Sequence, residues 1–176
     1  MTADMAQLIE PLIPALRRYA RSFLKDAAAA DDLVQDTLLR AISHWRQRRP
    51  DGDARSWLFT ILHNLAINQL RQTARRGDML PLDDADESDV SAPSTQEDGL
   101  RQHDILAAVN RLSDDQRSVL LLVSVEDLSY AEAARVLDVP IGTVMSRLAR
   151  ARARLLRMMD EDSAPASDHP YLRRVL

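Results

Sequence analysis

Residues 77–99 read GDMLPLDDADESDVSAPSTQEDG, and no helix or strand accounts for them. Residues 78–99 carry eight carboxylates and no lysine or arginine, and the segment holds two prolines and no periodic apolar pattern. Such a composition cannot bury enough surface to offset the entropy of ordering it, so 78–99 are expected to be a flexible acidic linker. That divides the chain into residues 1–77 and 100–160, with a short tail at 161–176. Neither half is long enough for more than a compact helical bundle, and the two are expected to be tethered but separately mobile. The linker's 22 residues give an r.m.s. reach of about 26 Å and a limit near ~75 Å.

Composition favours helices within each half. Leu, Ala and Arg dominate, aromatics make up 4 %, and there are only 4 glycines. The expected fold class is therefore all-α. With no cysteine, disulfides and thiolate metal sites are excluded, and a reducing cytoplasm is the expected setting. The first twenty residues lack a basic stretch followed by an unbroken apolar core, so no signal peptide is expected. No apolar run approaches the ~20 residues that cross a bilayer, so stable membrane insertion is not expected either. The formal charge of −4 conceals an asymmetry: residues 1–77 carry twelve basic and eight acidic side chains. An acidic segment between two neutral-to-basic parts points to a nucleic-acid partner.

In the first half, Leu12, Leu16, Tyr19, Phe23 and Leu24 recur at helical spacing, and Pro11 and Pro14 suit a broken or first-turn start. Val34, Leu38, Ala41 and Trp45 mark a second helix, with Asp31 and Asp32 expected near its amino terminus. The third, ARSWLFTILHNLAINQLRQTARR, has Gly77 as its expected stop. It combines Trp57, Phe59, His63, Asn64 and Asn68 with Arg71, Arg75 and Arg76. Flat rings, amides and cations are what single-stranded nucleic acid requires, although Trp57 also fits a core position.

The second half is punctuated by SDDQ (Ser113, Gln116) and SYAE (Ser129, Glu132). Both have the capping-box form, which places helices at about 114–125 and 130–137. The turn DVP then leads into a helix with five arginines and no acidic residue over 139–159. A capped helix, a tight turn and a second helix with a basic face is the helix-turn-helix arrangement. Ile141, Val144, Leu148, Ala151, Leu155 and Met158 are expected to pack inward. Arg147, Arg150, Arg154 and Arg157 occupy a separate arc of about 80°. Ser146, Ala149 and Ala153 are small enough to let a duplex approach. A merely solvated basic face is the other reading of the arginines alone. The turn and the capped helix before it favour duplex DNA.

Together DDLVQDTLLRA, RSWLFTILHNLAINQLR and LSDDQRSVLLLVSVEDLSYAEAARVLDVPIGTVMSRLARARARL resemble the extracytoplasmic-function (ECF, group IV) sigma factors, of the sigma-70 family, of bacterial RNA polymerase. The resemblance runs from about residue 10 to 158, in the family's order. It implies a region 2-like domain at 1–77 that binds core polymerase and melts and reads the −10 element. It implies a region 4-like helix-turn-helix at 100–160 that reads the −35 element. Asp32, Gln35, Asp36 and Leu39 would meet the β′ clamp helices, and the second domain would lie by the β flap. Trp57, Asn64, Asn68, Arg71 and Arg75 would face the single-stranded −10 element. In the duplex −35 element, Met145, Ser146, Ala149 and Arg150 would face bases, with Thr143, Arg147 and Arg154 near phosphates. The linker would thread the polymerase channel, and an anti-sigma partner would hold the protein inactive. Met145 stands where many relatives carry Lys or Arg, and Asn68 where an Asp is common.

An enzyme is the first rival. However, Asp31, Asp32 and Asp36 do not converge on one helix face, and His44, His63, His103 and His169 are scattered. No phosphate loop, zinc signature or nucleophile elbow is present, so no catalytic residue, metal or cofactor is expected. The second rival is a dimeric helix-turn-helix regulator that binds duplex operators without core polymerase. It would need neither the acidic helix nor a single-strand reader.

Overall fold

The computed structural model describes residues 2–24, 26–48, 53–76 and 107–163, and among these there is no strand. The linker, Gly77 and most of the tail lie outside them, as does the expected stop after the third helix. The helices are α1 (Thr2–Ile9), α2 (Ile13–Phe23), α3 (Ala27–His44), α4 (Ala54–Arg76), α5 (Asp114–Ser124), α6 (Tyr130–Leu137) and α7 (Ile141–Ser163). A helical turn at 107–110 precedes α5. The all-α class and the two-domain plan are as expected, with α1–α4 forming one domain and α5–α7 the other.

The two prolines act as anticipated. Pro11 lies in a 3₁₀ turn over Glu10–Leu12 that separates α1 from α2, and Pro14 sits in the first turn of α2. The start of α3 differs from the expectation. Asp26, not Asp31 or Asp32, is its cap, accepting from the amides of Ala28 and Ala29 at 3.2 and 3.1 Å. The run Ala27–Ala30 is a strong helix former, so the helix extends back to the nearest side chain able to satisfy its free amides. Asp31, one turn further in, instead meets Arg17 at 3.3 Å. At α4, Asp53 accepts from the amide and hydroxyl of Ser56 at 2.9 and 2.8 Å and from the Arg55 amide at 3.1 Å. Partial burial opposes its charge, but these bonds and the Arg55 cation outweigh it and hold the carboxyl below its usual range.

Of the two capping boxes only the second forms. The Ser129 hydroxyl accepts from the Glu132 amide at 3.3 Å, and the Glu132 carboxylate accepts from the Ser129 amide at 2.7 Å. Ser113 makes no such bond, and Gln116 Oε1 is buried without a partner. The start of α5 is tied instead by Arg117, whose guanidinium donates to the carbonyls of Val109, Asn110 and Leu112. Burial lowers the Arg117 pKa from its ordinary value, against the pull of Asp114.

The expectation of separately mobile halves is not met, because the two domains pack on each other. Tyr19 and Phe23 of α2 and Phe59 and Leu62 of α4 share one core with Val119 and Leu122 of α5, Val136 of α6 and Val144 of α7. At the centre of the junction lies Glu126, in the α5–α6 turn, with 1 % of its side chain exposed. Its carboxylate accepts from Arg18 Nε at 2.9 Å and Nη2 at 2.8 Å. Arg55 donates to its main-chain carbonyl and lies 3.8 Å from its carboxylate. Arg117 adds a bond to the Ser22 carbonyl at 3.2 Å and stacks over Phe23 at 5.6 Å. A side chain that few proteins bury is thus neutralised by cations from the other domain.

Candidate nucleic-acid interface

Helix α6 ends where Asp138 adopts the left-handed conformation, φ 52° and ψ 50°, and its amide turns back to Ala134 and Arg135. A short acidic side chain tolerates that geometry better than most. Pro140 cannot continue the old helix, but its carbonyl accepts from Thr143 and Val144, and α7 begins. The resulting helix, turn and helix rest on buried Ala133, Val136, Val144, Leu148, Ala151 and Met158, with Leu155 half-buried. Ile141, expected to pack inward, is exposed. It is the first residue of α7, and the body of α5 and α6 does not reach it.

The outer face of α7 carries Met145, Ser146, Ala149, Arg150 and Arg154, all exposed, with Thr143 half-buried. Arg150 folds along its own helix, donating from Nε to the Ser146 carbonyl at 3.2 Å. Arg147 is turned inward and meets Asp115 of α5 at 2.7 Å. Arg152 reaches Ser124 of α5 at 3.3 Å. Of the five arginines, two therefore brace α7 against α5, while Arg150, Arg154 and Arg157 project along the open face.

In the first domain, a cleft of about 370 Å³ lies between α3 and α4, lined by Arg40, His44, Gln47, Trp57, Ile61 and Asn64. Trp57 forms one wall and meets Trp45 edge-on, ring centroids 5.9 Å apart, and Arg48 stacks on Trp45 at 4.8 Å. An indole, an amide and a cation around a recess of this size fit an unstacked base. Asn68 does not join Asn64 there. It lines a neighbouring cleft of about 470 Å³ with Asp32, Asp36 and Gln72, and only Arg40 borders both. Arg71 and Arg75 are exposed further along α4. Phe59 and His63, read with Trp57 as a stacking set, turn towards α2 instead: Phe59 is fully buried edge-on to Tyr19, and His63 is half-buried. His63 Nδ1 lies 3.1 Å from the Tyr19 hydroxyl, and burial pushes its pKa down to about 4 against the pull of Asp115. Burial likewise raises the Tyr19 phenol well above its ordinary range, partly offset by Ser118.

Gln35, Asp36 and Leu39 are exposed on α3, Asp32 with them, and Ile42 continues the same face. Carboxylates beside unpaired Leu39 and Ile42 make a surface suited to another protein. Sequence reasoning missed Arg40, His44, Gln47 and Ile42. Counting three and four residues on from Asp36 and Leu39 would have found Arg40 and Ile42. Among the described residues no cluster of His, Cys, Asp or Glu could hold a metal, and no helix is long and apolar enough to cross a membrane.

Two small helical domains, one with a two-helix cleft and an acidic-apolar flank, the other a helix-turn-helix with a basic outer helix, define a promoter-directed transcription factor. The Sigma2 domain of PhyR matches residues 9–63, and Sigma-70, region 4 matches residues 102–155. Over 167 residues the chain is 35 % identical to the ECF RNA polymerase sigma factor EcfG of Rhodopseudomonas palustris, covering 93 % of this chain and 90 % of that one. It is 34 % identical over 148 residues to the ECF sigma factor SigC of Mycobacterium tuberculosis, covering 80 % and 76 %. The chain belongs to the ECF RNA polymerase sigma factors. Among solved structures, the sigma factor RpoE in complex with the anti-sigma factor NepR from Bartonella quintana matches with a TM-score of 0.78 and 33 % identity, over 90 % of this chain and 98 % of that one. CnrH in complex with the cytosolic domain of CnrY matches with a TM-score of 0.69 and 28 % identity, over 93 % and 92 %.

Proposed function

We propose that this sigma factor binds core RNA polymerase through Asp32, Gln35, Asp36 and Leu39 of α3, which would meet the β′ clamp helices. The same first domain opens the −10 element and holds a displaced base in the cleft of Trp57 and Asn64, with Arg71 and Arg75 along the strand. Helix α7 reads the duplex −35 element: Met145, Ser146, Ala149 and Arg150 face bases, and Thr143 and Arg154 face phosphates. Arg147 joins them once it leaves Asp115. Asn68, set among the α3 carboxylates, fits the polymerase side better than the base-reading side. The second domain rests by the β flap, and residues 78–99 run through the polymerase channel. The protein is an initiation factor rather than a catalyst, a group IV member working in the cytoplasm. An anti-sigma partner controls it, a reading supported by the complexes of RpoE with NepR and of CnrH with CnrY.

The observation that carries this reading is the presence, in one chain of a sigma family, of an acidic-apolar α3 flank, a base-sized cleft beside it and a basic helix-turn-helix. A dimeric operator-binding regulator would need only the last. Purified core polymerase separates the two. With this chain it should initiate at a discrete promoter, whereas a plain regulator would leave it silent. Asp36→Arg should abolish co-purification with core polymerase while helicity by circular dichroism stays unchanged. Undiminished association would remove α3 from the polymerase interface.

A further inference from the structure

The open face of α7 is asymmetric. Gly142, Ser146, Ala149 and Ala153 form a central strip of small residues, with Arg150, Arg154 and Arg157 along one shoulder. On the other shoulder, over the first two turns, stand Ile141 and Met145, 50 % and 52 % exposed. They are four residues apart and therefore stacked on the same face. The nearest cation on that side, Arg152, is drawn back to Ser124 of α5. Among the described residues, a Cβ added at Gly142 in the strip would meet nothing within 4 Å.

Ile141 and Met145 put an apolar pair on the open face, and the arginines opposite them select a polyanion. The amino-terminal turns of the second helix are those that reach base edges in a helix-turn-helix. In the major groove the C5-methyl of thymine is the one bulky apolar group on a base edge, and the code is otherwise carried by hydrogen-bond donors and acceptors. Where a lysine or arginine would seek guanine, Met145 offers a flexible, polarisable thioether that adapts to a methyl surface.

We propose that Met145, with Ile141 beside it, is a specificity determinant that reads thymine methyl groups in the −35 duplex. This rests on the assignment of α7 to that duplex. Burying one methyl is worth about fourfold in affinity, so each such thymine should be preferred over uracil by roughly that factor.

The test uses the full chain assembled with core polymerase. Promoters with a randomised −35 region are amplified in two pools, one with dTTP and one with dUTP, and holoenzyme selects from each. The wild type should show thymine preferences, on either strand, that fall about fourfold in the uracil pool. Met145→Ala should bind the thymine pool more weakly and select the same sequences from both pools, with Ile141→Ala showing a smaller effect. Both positions are half-exposed, so the variants should keep wild-type helicity, and Arg150→Ala serves as the control for α7 docking. If the wild type selects identically from both pools, or Met145→Ala retains the full uracil penalty, the proposal is wrong. It is equally overturned if Met145→Ala weakens only the grip of an anti-sigma partner. If Arg150→Ala also leaves −35 selection untouched, the assignment of α7 to the duplex falls, and the thymine proposal with it.

Discussion

Arg17 and Arg18 are neighbours on α2, both about half exposed, and each meets a carboxylate, yet they should differ sharply on truncation. Arg17 faces Asp31, whose side chain is 39 % exposed, at 3.3 Å. Pairs of that kind are worth about 0–1 kcal/mol because water competes for both charges. Arg18 makes two short bonds to a carboxylate that is 1 % exposed. Its removal leaves that charge in the domain junction with, among the described residues, Arg55 at 3.8 Å to oppose it. Breaking a buried pair from one side costs about 3–5 kcal/mol. Because Arg18 itself is half in solvent, water can partly take its place, which brings the expected loss to about 2–3 kcal/mol. For a chain of this size that lowers Tm by roughly 4–12 °C, whereas Arg17→Ala should shift it by no more than a few degrees. Urea unfolding with matched thermal melts measures the difference, and small-angle scattering should show Arg18→Ala to be larger as its domains part. Equal effects of the two substitutions, or an Arg18→Ala protein as compact and stable as wild type, would refute the view that Glu126 joins the halves.

Three further outcomes are expected. Ser129→Ala should cost about 1 kcal/mol, while Ser113→Ala should be close to neutral because its hydroxyl caps nothing; paired urea titrations check both. His63 is held neutral in the folded chain, with its pKa near 4, and returns to its ordinary value on unfolding. Protonation therefore favours the unfolded state, so stability falls as pH drops from about 6.5 to about 4, at up to ~1.4 kcal/mol per pH unit. His63→Gln should flatten that part of the profile. Arg154→Ala should weaken promoter binding alike across −35 sequences and reduce the slope of log K against log salt by about 1, measured by fluorescence anisotropy with holoenzyme.

Helices are legible wherever the apolar rows are long and the caps unambiguous, as in α2, α6 and α7. Local rules err where two capping choices compete. Asp31 and Asp32 look like a helix start, but the alanine run before them carries the helix back to Asp26. Ser113 has the right partner at the right spacing, yet its hydroxyl accepts no bond from the helix start, and the preceding turn is held by Arg117 through the carbonyls of Val109, Asn110 and Leu112. The base-sized cleft is half legible. Trp57 and Asn64 come from α4, but Arg40 and His44 arrive from a helix whose sequence advertises only its acidic end, and Gln47 from the 3₁₀ turn after it. Asn64 and Asn68 share a helix face and look like a pair, although Arg40 of α3 lies where their clefts meet. Glu126 is not legible at all. It sits in a short polar turn, and its principal partner is 108 residues away, so no local pattern marks it as buried.

The packing around Glu126 bears on binding as well as on stability. A ligand that engages both halves at once binds only the fraction of molecules in which they have come apart, and its apparent dissociation constant rises by the inverse of that fraction. If closure is favoured by about 3 kcal/mol, fewer than about one molecule in a hundred is open. The isolated factor would then be a poor reader of its own promoter by more than two orders of magnitude. The handicap disappears once another surface holds the halves apart.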